Sequence, residues 1–106
     1  MMADKDLAIA REVKKRLTGK IPIYEVRLFG SRARGQATPE SDLDLYLETG
    51  ALSRQQRRLI SDVAWEVGFE NNVVIVPLAV TRNEVQNGHF AHSYLYRSIK
   101  NEGIKV

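Results

Sequence analysis

The sequence predicts a small α/β sandwich: a mixed sheet of three to four strands with helices backing one face. Three observations predict it. Two short segments, Tyr24 to Phe29 and Leu43 to Glu48, alternate apolar and polar residues with the period of a strand. Stripes spaced three and four apart mark helices before and after them. The chain has 106 residues, which suits one modest core and a single domain spanning 1–106.

Asp4 to Leu17 places Ile9, Val13 and Leu17 on one side with charges around the rest, a helix that Gly19 ends. Tyr24 to Phe29 is a strand entered after Pro22. Gly30 to Ser41 is rich in turn formers; the expectation is a short helical turn after Ser31 and a loop through Thr38 and Pro39. In the second strand Leu43, Leu45 and Leu47 share one face, and Asp42, Asp44, Tyr46 and Glu48 the other. Ser53 to Gln56 matches a capping box and opens a helix with the stripe Leu59, Ile60, Val63, Ala64 and Val67, ending at Gly68. Asn72 to Val80 is a nearly continuous apolar run, expected to be a strand buried on both faces, with Pro77 against it near the end. Thr81 to Glu84 is a second capping box. A last helix is expected over His92 to Lys100, with Tyr94, Leu95 and Ile99 inward and Gly103 ending it. Trp65, Phe69 and the tyrosines read most simply as core and helix-packing residues.

Composition excludes several classes. Hydrophobic content of 43% with 27% charged residues is that of a folded globule, not a disordered chain. No apolar run approaches a membrane span. The N-terminal "MMADKDLAIAREVKKRL" lacks the apolar stretch and cleavage site of a signal peptide. There is no cysteine, hence no disulfide, thiolate metal site or cysteine nucleophile. The expected compartment is the cytoplasm. A net charge of +3 suits an anionic partner such as a nucleotide or RNA. Arg54, Arg57, Arg58, Arg97, Lys100 and Lys105 are the cations an RNA surface would use, but no aromatic-interleaved motif accompanies them and RNA ranks last. His89 and His92 read as surface residues.

The chemistry concentrates in "LFGSRARGQATPESDLDLYLE", Leu28 to Glu48. Asp42 and Asp44 project to one side of a strand anchored by leucines. Paired carboxylates suit hard divalent cations, and magnesium typically engages one or two of them plus substrate phosphates. A two-metal site of the kind that serves phosphoryl-type displacement is within reach of such a pair. Gly30 allows a ligand close to the backbone, Ser31 offers a hydroxyl, and free N–H groups after it form an anion cradle. Arg32 and Arg34 carry guanidinium forks suited to triphosphate oxygens.

Gly30-Ser31, ten intervening residues and Asp42-Leu43-Asp44 resemble the signature of the minimal nucleotidyltransferase (MNT) family, of the polymerase-beta-like superfamily and its MntA-like antitoxin type. The strong part of the match covers about Val26 to Leu47. The resemblance implies transfer of a nucleoside monophosphate, AMP from ATP, from a magnesium-bound triphosphate to an acceptor hydroxyl, releasing pyrophosphate. It assigns phosphate binding to Gly30 and Ser31 and metal binding to Asp42 and Asp44. It also implies a helical HEPN-type partner, in toxin–antitoxin pairs or operon-linked complexes, on which some members modify tyrosines.

One departure stands out. Many active members carry a third carboxylate on the next strand, where this chain reads Val73-Val74-Ile75-Val76-Pro77-Leu78. Glu48, Glu66 and Glu70 are the remaining candidates. Losing a general base costs roughly 10²–10⁴-fold in rate. The alternative is therefore a degenerate relative that binds, scaffolds or neutralises a partner protein without catalysis.

Overall fold

The computed structural model describes residues 2–106, with side chains from Asp4 onward. Helix α1 (Met2–Leu17) leads into strand β1 (Ile23–Phe29), and β2 (Leu43–Thr49) follows after a long turn. Helix α2 (Arg54–Glu70) then crosses to β3 (Ile75–Thr81). The short helix α3 (Arg82–Asn87), a 3₁₀ turn (Phe90–His92), helix α4 (Tyr94–Glu102) and a short strand β4 (Ile104–Lys105) complete the chain. The sheet order is β3-β2-β1-β4. β1 runs antiparallel to β2 and β4, and β2 runs parallel to β3. That register sets Asp44 between Phe29 of β1 and Val76 of β3.

Period-two alternation decides which side of β2 meets which layer. Leu43, Leu45 and Leu47 are fully buried with Val26 and Leu28 against Ile9, Val13, Leu17, Ile60, Val63 and Val67 of α1 and α2. Each such side chain contributes about 1.5–3 kcal/mol when withdrawn from water. The opposite face is also covered, which the expectation of helices on one face omitted. There Tyr46, Val80 and Ile99 are buried beneath Phe90, Tyr96 and Val85. The second layer arises because Tyr46, a bulky aromatic amid the acids of β2, needs cover, and it stacks on Phe90 at 6.5 Å between ring centroids.

Local signals set the element ends. Ser53 Oγ accepts from the Gln56 N–H at 3.1 Å while Gln56 Oε1 accepts from the Ser53 N–H at 2.9 Å. Thr81 and Glu84 form the same reciprocal pair ahead of α3. Gly68 is fixed by close approach: a Cβ there would strike the Val73 carbonyl oxygen where α2 turns toward β3.

Three expectations are corrected. The Asn72–Val80 run is not buried on both faces: Ile75 packs into the core with α1 and α2, whereas Val74 and Val76, which alternate to the other side of the chain, lie exposed. Trp65 and Phe69 are not core, because the inward stripe of α2 is already filled by Ile60, Val63, Ala64 and Val67. In α4, which begins at Tyr94 with Ser93 as its cap, Tyr94 and Leu95 point outward and Tyr96 and Ile99 pack inward. No described helix is long and apolar enough to cross a membrane.

Candidate functional site

Strand β1 gives way to Gly30, whose φ of +79° is the left-handed conformation that glycine adopts without strain. The following residues make the expected short helical turn, a single α-turn that is not continued: the Arg34 N–H donates to the Gly30 carbonyl at 3.2 Å. A second bond, from the Gln36 N–H to the Ser31 carbonyl at 3.0 Å, closes the bend. The N–H groups of Ser31, Arg32 and Ala33 make no backbone hydrogen bond among the described residues.

Asp44 lies directly over this bend. A Cβ placed on Gly30 would collide with the Asp44 carboxylate, so the acid occupies the space that glycine leaves. Asp42, exposed, sits two residues before it, just ahead of β2, close enough for its charge to act on Asp44. Burial raises the Asp44 pKa above the ordinary aspartate value, the Asp42 charge raises it further, and Arg34 opposes both. Two carboxylates that repel one another, one of them against the Gly30 bend, are residue types that could together bind a divalent cation.

The two arginines take different places. Arg34 is exposed, contacting Glu102 of α4 at 3.4 Å and Gln36 at 3.3 Å, within electrostatic reach of Asp44. Arg32, expected at a phosphate, is instead buried and occupied. Its Nη1 donates to Asp6 Oδ1 at 2.9 Å, its Nε and Nη2 donate to the Ser41 carbonyl at 3.0 and 2.6 Å, and Nη2 also reaches the Pro39 carbonyl at 3.3 Å. Arg32 thus ties α1 to the segment that delivers Asp42.

No third acid joins the pair among the described residues. Val76 occupies the position of β3 directly beside Asp44. Glu48 is buried at the far end of β2, accepting from Tyr46 Oη at 2.8 Å and from Arg82 Nε at 3.0 Å. Arg82 in turn lies 3.8 Å over the Tyr24 ring. Glu66 and Glu70 stand on α2 facing Arg16, with Glu70 at 2.7 Å. No group of three or more His, Cys, Asp or Glu residues poised for a metal occurs among the described residues.

Sequence reasoning missed Asp6 and Glu102. Asp6 had a signal, since it continues the buried stripe of Ile9, Ala10, Val13 and Leu17 and so required a buried cation. Glu102 had none, because its contact with Arg34 spans 68 residues. The C-terminal cations do not form an open basic patch: Lys100 and Lys105 both reach Glu25, at 2.7 and 3.9 Å.

The family described as nucleotidyltransferase domain matches residues 9–106. A candidate protein adenylyltransferase of Methanocaldococcus jannaschii is 48% identical over 40 residues, which is 38% of this chain and 40% of that protein. The matched stretch therefore spans less than half of that relative's length. The crystal structure of a candidate nucleotidyltransferase from Sulfolobus solfataricus shares the fold with a TM-score of 0.65 at 17% identity, covering 98% of this chain and 81% of that one. A structure of tri-AMPylated Shewanella oneidensis HEPN toxin in complex with MNT antitoxin shares it with a TM-score of 0.57 at 14% identity, covering 94% and 70%.

Proposed function

The chain belongs to the nucleotidyltransferase domain family, and we propose that it transfers AMP from magnesium-bound ATP to an acceptor hydroxyl on a HEPN-type partner protein. The observation carrying this reading is the contact of the Asp44 carboxylate with Gly30, which joins the acidic strand to the amide-lined bend. Asp42 and Asp44 would hold one or two magnesium ions, which when bound neutralise triphosphate charge and polarise the α-phosphate. The free N–H groups after Gly30, with the Ser31 hydroxyl, receive phosphate oxygens. Arg34 adds a cation on the open side. Arg32 and Asp6 keep the Pro39–Ser41 segment, and with it Asp42, in place.

In the reaction the acceptor oxygen bonds to the α-phosphorus as the bond between that phosphorus and the α–β bridging oxygen breaks. Pyrophosphate leaves and the hydroxyl proton passes to solvent. Val76 stands where a base would assist, so the chain favours an acceptor that ionises readily. A tyrosine phenol, with an ordinary pKa of about 10, meets that need better than an aliphatic alcohol. That the Shewanella oneidensis HEPN toxin in complex with MNT antitoxin is tri-AMPylated supports a protein acceptor.

The same valine supports a second reading, in which the chain binds nucleotide and partner without turnover. Incubation with α-labelled ATP, magnesium and a HEPN-type protein separates the two. Label on the partner, lost in Asp44→Asn, is expected; tight partner binding with no label transferred leaves the non-catalytic reading.

A further inference from the structure

Helix α1 turns one cationic stripe away from the core. Arg11, Lys14, Lys15 and Thr18 recur at i, i+3, i+4 and i+7, and with Val106 they line an open hollow of about 490 Å³. None of the three cations pairs with a carboxylate side chain among the described residues. Glu12, beside them on the helix, is taken up by Arg16 at 2.8 Å, and Asp4 lies two turns before Arg11. Lys14 Nζ donates to the Val106 carbonyl at 2.9 Å, which leaves its ammonium two further donors. Arg11 and Lys15 are exposed.

What this surface lacks restricts what it can hold. None of the exposed large apolar side chains stands among the described residues of α1. Protein interfaces and membrane-lying helices both need apolar side chains at their centre. A nucleic-acid backbone does not, because neutralising phosphates and releasing their counterions supplies the affinity. Arg11 adds a fork suited to two phosphate oxygens. From Arg11 to Lys15 the helix rises only about 6 Å. That footprint suits a flexible single strand, whereas duplex-binding modules reach across about 16 base pairs. Thr18 separates RNA from DNA. Its hydroxyl proton is committed to the Lys14 carbonyl at 2.7 Å, so toward the hollow the oxygen can only accept. A phosphate oxygen brings it no proton; the ribose 2′-hydroxyl, absent from DNA, does.

We propose that this face of α1 binds single-stranded RNA, with Arg11, Lys14 and Lys15 on phosphates and Thr18 accepting from a ribose 2′-hydroxyl. These are not the cations that the sequence suggested for RNA: Arg54, Arg57 and Arg58 stand on α2, and Lys100 and Lys105 are held at Glu25. Helix α1 covers the sheet face of Leu43, Leu45 and Leu47, opposite to that of Asp44. The bound strand therefore lies away from the candidate metal site. Its binding needs neither ATP nor magnesium and stands or falls separately from the transfer reaction.

The test is fluorescence anisotropy with a labelled single-stranded RNA of about 12 nucleotides, in chelator and without ATP. Three phosphate contacts to a single strand predict a slope of about −2 for log affinity against log salt, between about 50 and 200 mM. Arg11→Gln with Lys15→Gln, both exposed positions, should weaken binding at least tenfold at the lower salt and bring the slope to about −0.7. Arg54→Gln, Arg57→Gln and Arg58→Gln together should leave affinity and slope unchanged. DNA of the same sequence should bind about threefold to tenfold more weakly, and Thr18→Val should remove that preference. No binding of the RNA, an unchanged slope in the α1 variant with its helicity intact by circular dichroism, loss of binding in the α2 variant, or equal affinity for RNA and DNA overturns the proposal. So does a polyglutamate peptide that binds as tightly as the RNA, since the occupant is then an acidic protein.

Discussion

Arg32 and Asp6 form a buried ion pair, 2.9 Å from Nη1 to Oδ1, across 26 residues of sequence. The pair joins the first helix to the loop that carries Asp42, because the same guanidinium also binds the carbonyls of Pro39 and Ser41. Asp6 Oδ2 has no hydrogen-bond partner, so this single contact holds the buried carboxylate. Breaking a buried pair by removing one partner strands the other charge and typically costs 3–5 kcal/mol. Asp6→Ala and Arg32→Ala are each expected to lower unfolding free energy by about that amount in urea titration. The double variant should lose less than the sum of the two. Arg32→Lys, which keeps the charge but loses the planar fork, should fold and yet bind ATP more weakly as the Ser41 segment loosens.

Gly30→Ala addresses the bend. The new methyl faces both an unfavourable φ of +79° and the Asp44 carboxylate. The backbone strain amounts to about 1–2 kcal/mol, and the collision displaces the acid. Thermal unfolding should drop by a few degrees, while Mn²⁺ affinity, measured by electron paramagnetic resonance, falls at least tenfold. A variant with lowered thermal stability and unchanged Mn²⁺ affinity would separate Gly30 from the metal site.

The pH dependence follows from Asp44. Its pKa in the folded chain is raised, first by burial and then by Asp42, so the native state holds a proton that the unfolded chain has released. Between the ordinary value and the raised one, the metal-free protein therefore loses stability as pH rises. A cation requires the deprotonated form, so metal affinity rises with pH across the same interval. NMR titration of the Asp44 carboxyl should show a midpoint above the ordinary aspartate value. Asp42→Asn should move it down.

Glu102 competes for Arg34. The contact is exposed, 3.4 Å long, and worth about 0–1 kcal/mol. Glu102→Gln is expected to release the guanidinium and lower the ATP dissociation constant by up to about fivefold in calorimetric titration. Arg34→Gln should raise it, and in that background the Glu102 change should have little effect.

The strands and the acidic pair were legible because period-two alternation is a local signal: Leu43, Leu45 and Leu47 assign the opposite face to Asp44 without reference to the rest of the fold. Capping boxes at Ser53 and Thr81 were legible for the same reason. What depends on distant partners was not. An apolar run such as Val73 to Val76 reads the same whether both of its faces are covered or only one, and here Val74 and Val76 face solvent while Ile75 packs inward. Trp65 and Phe69 are hydrophobic enough for a core, but α2 had already filled its inward stripe. Arg32 looks like a phosphate ligand beside Gly30 and Ser31 until Asp6 is seen next to it. The second layer rests on Tyr46 and Ile99, 53 positions apart, and β4 exists only because the chain end returns to β1.

The central claim is that Asp42 and Asp44 hold a divalent cation carrying a triphosphate at the Gly30 bend. Isothermal titration of ATP into the chain, with magnesium and with the metal chelated, tests it most directly. Binding that requires magnesium and is lost in both Asp42→Asn and Asp44→Asn, with both variants folded by circular dichroism, is the expected result. ATP binding of equal strength with and without magnesium, or unaltered in the two variants, would contradict it.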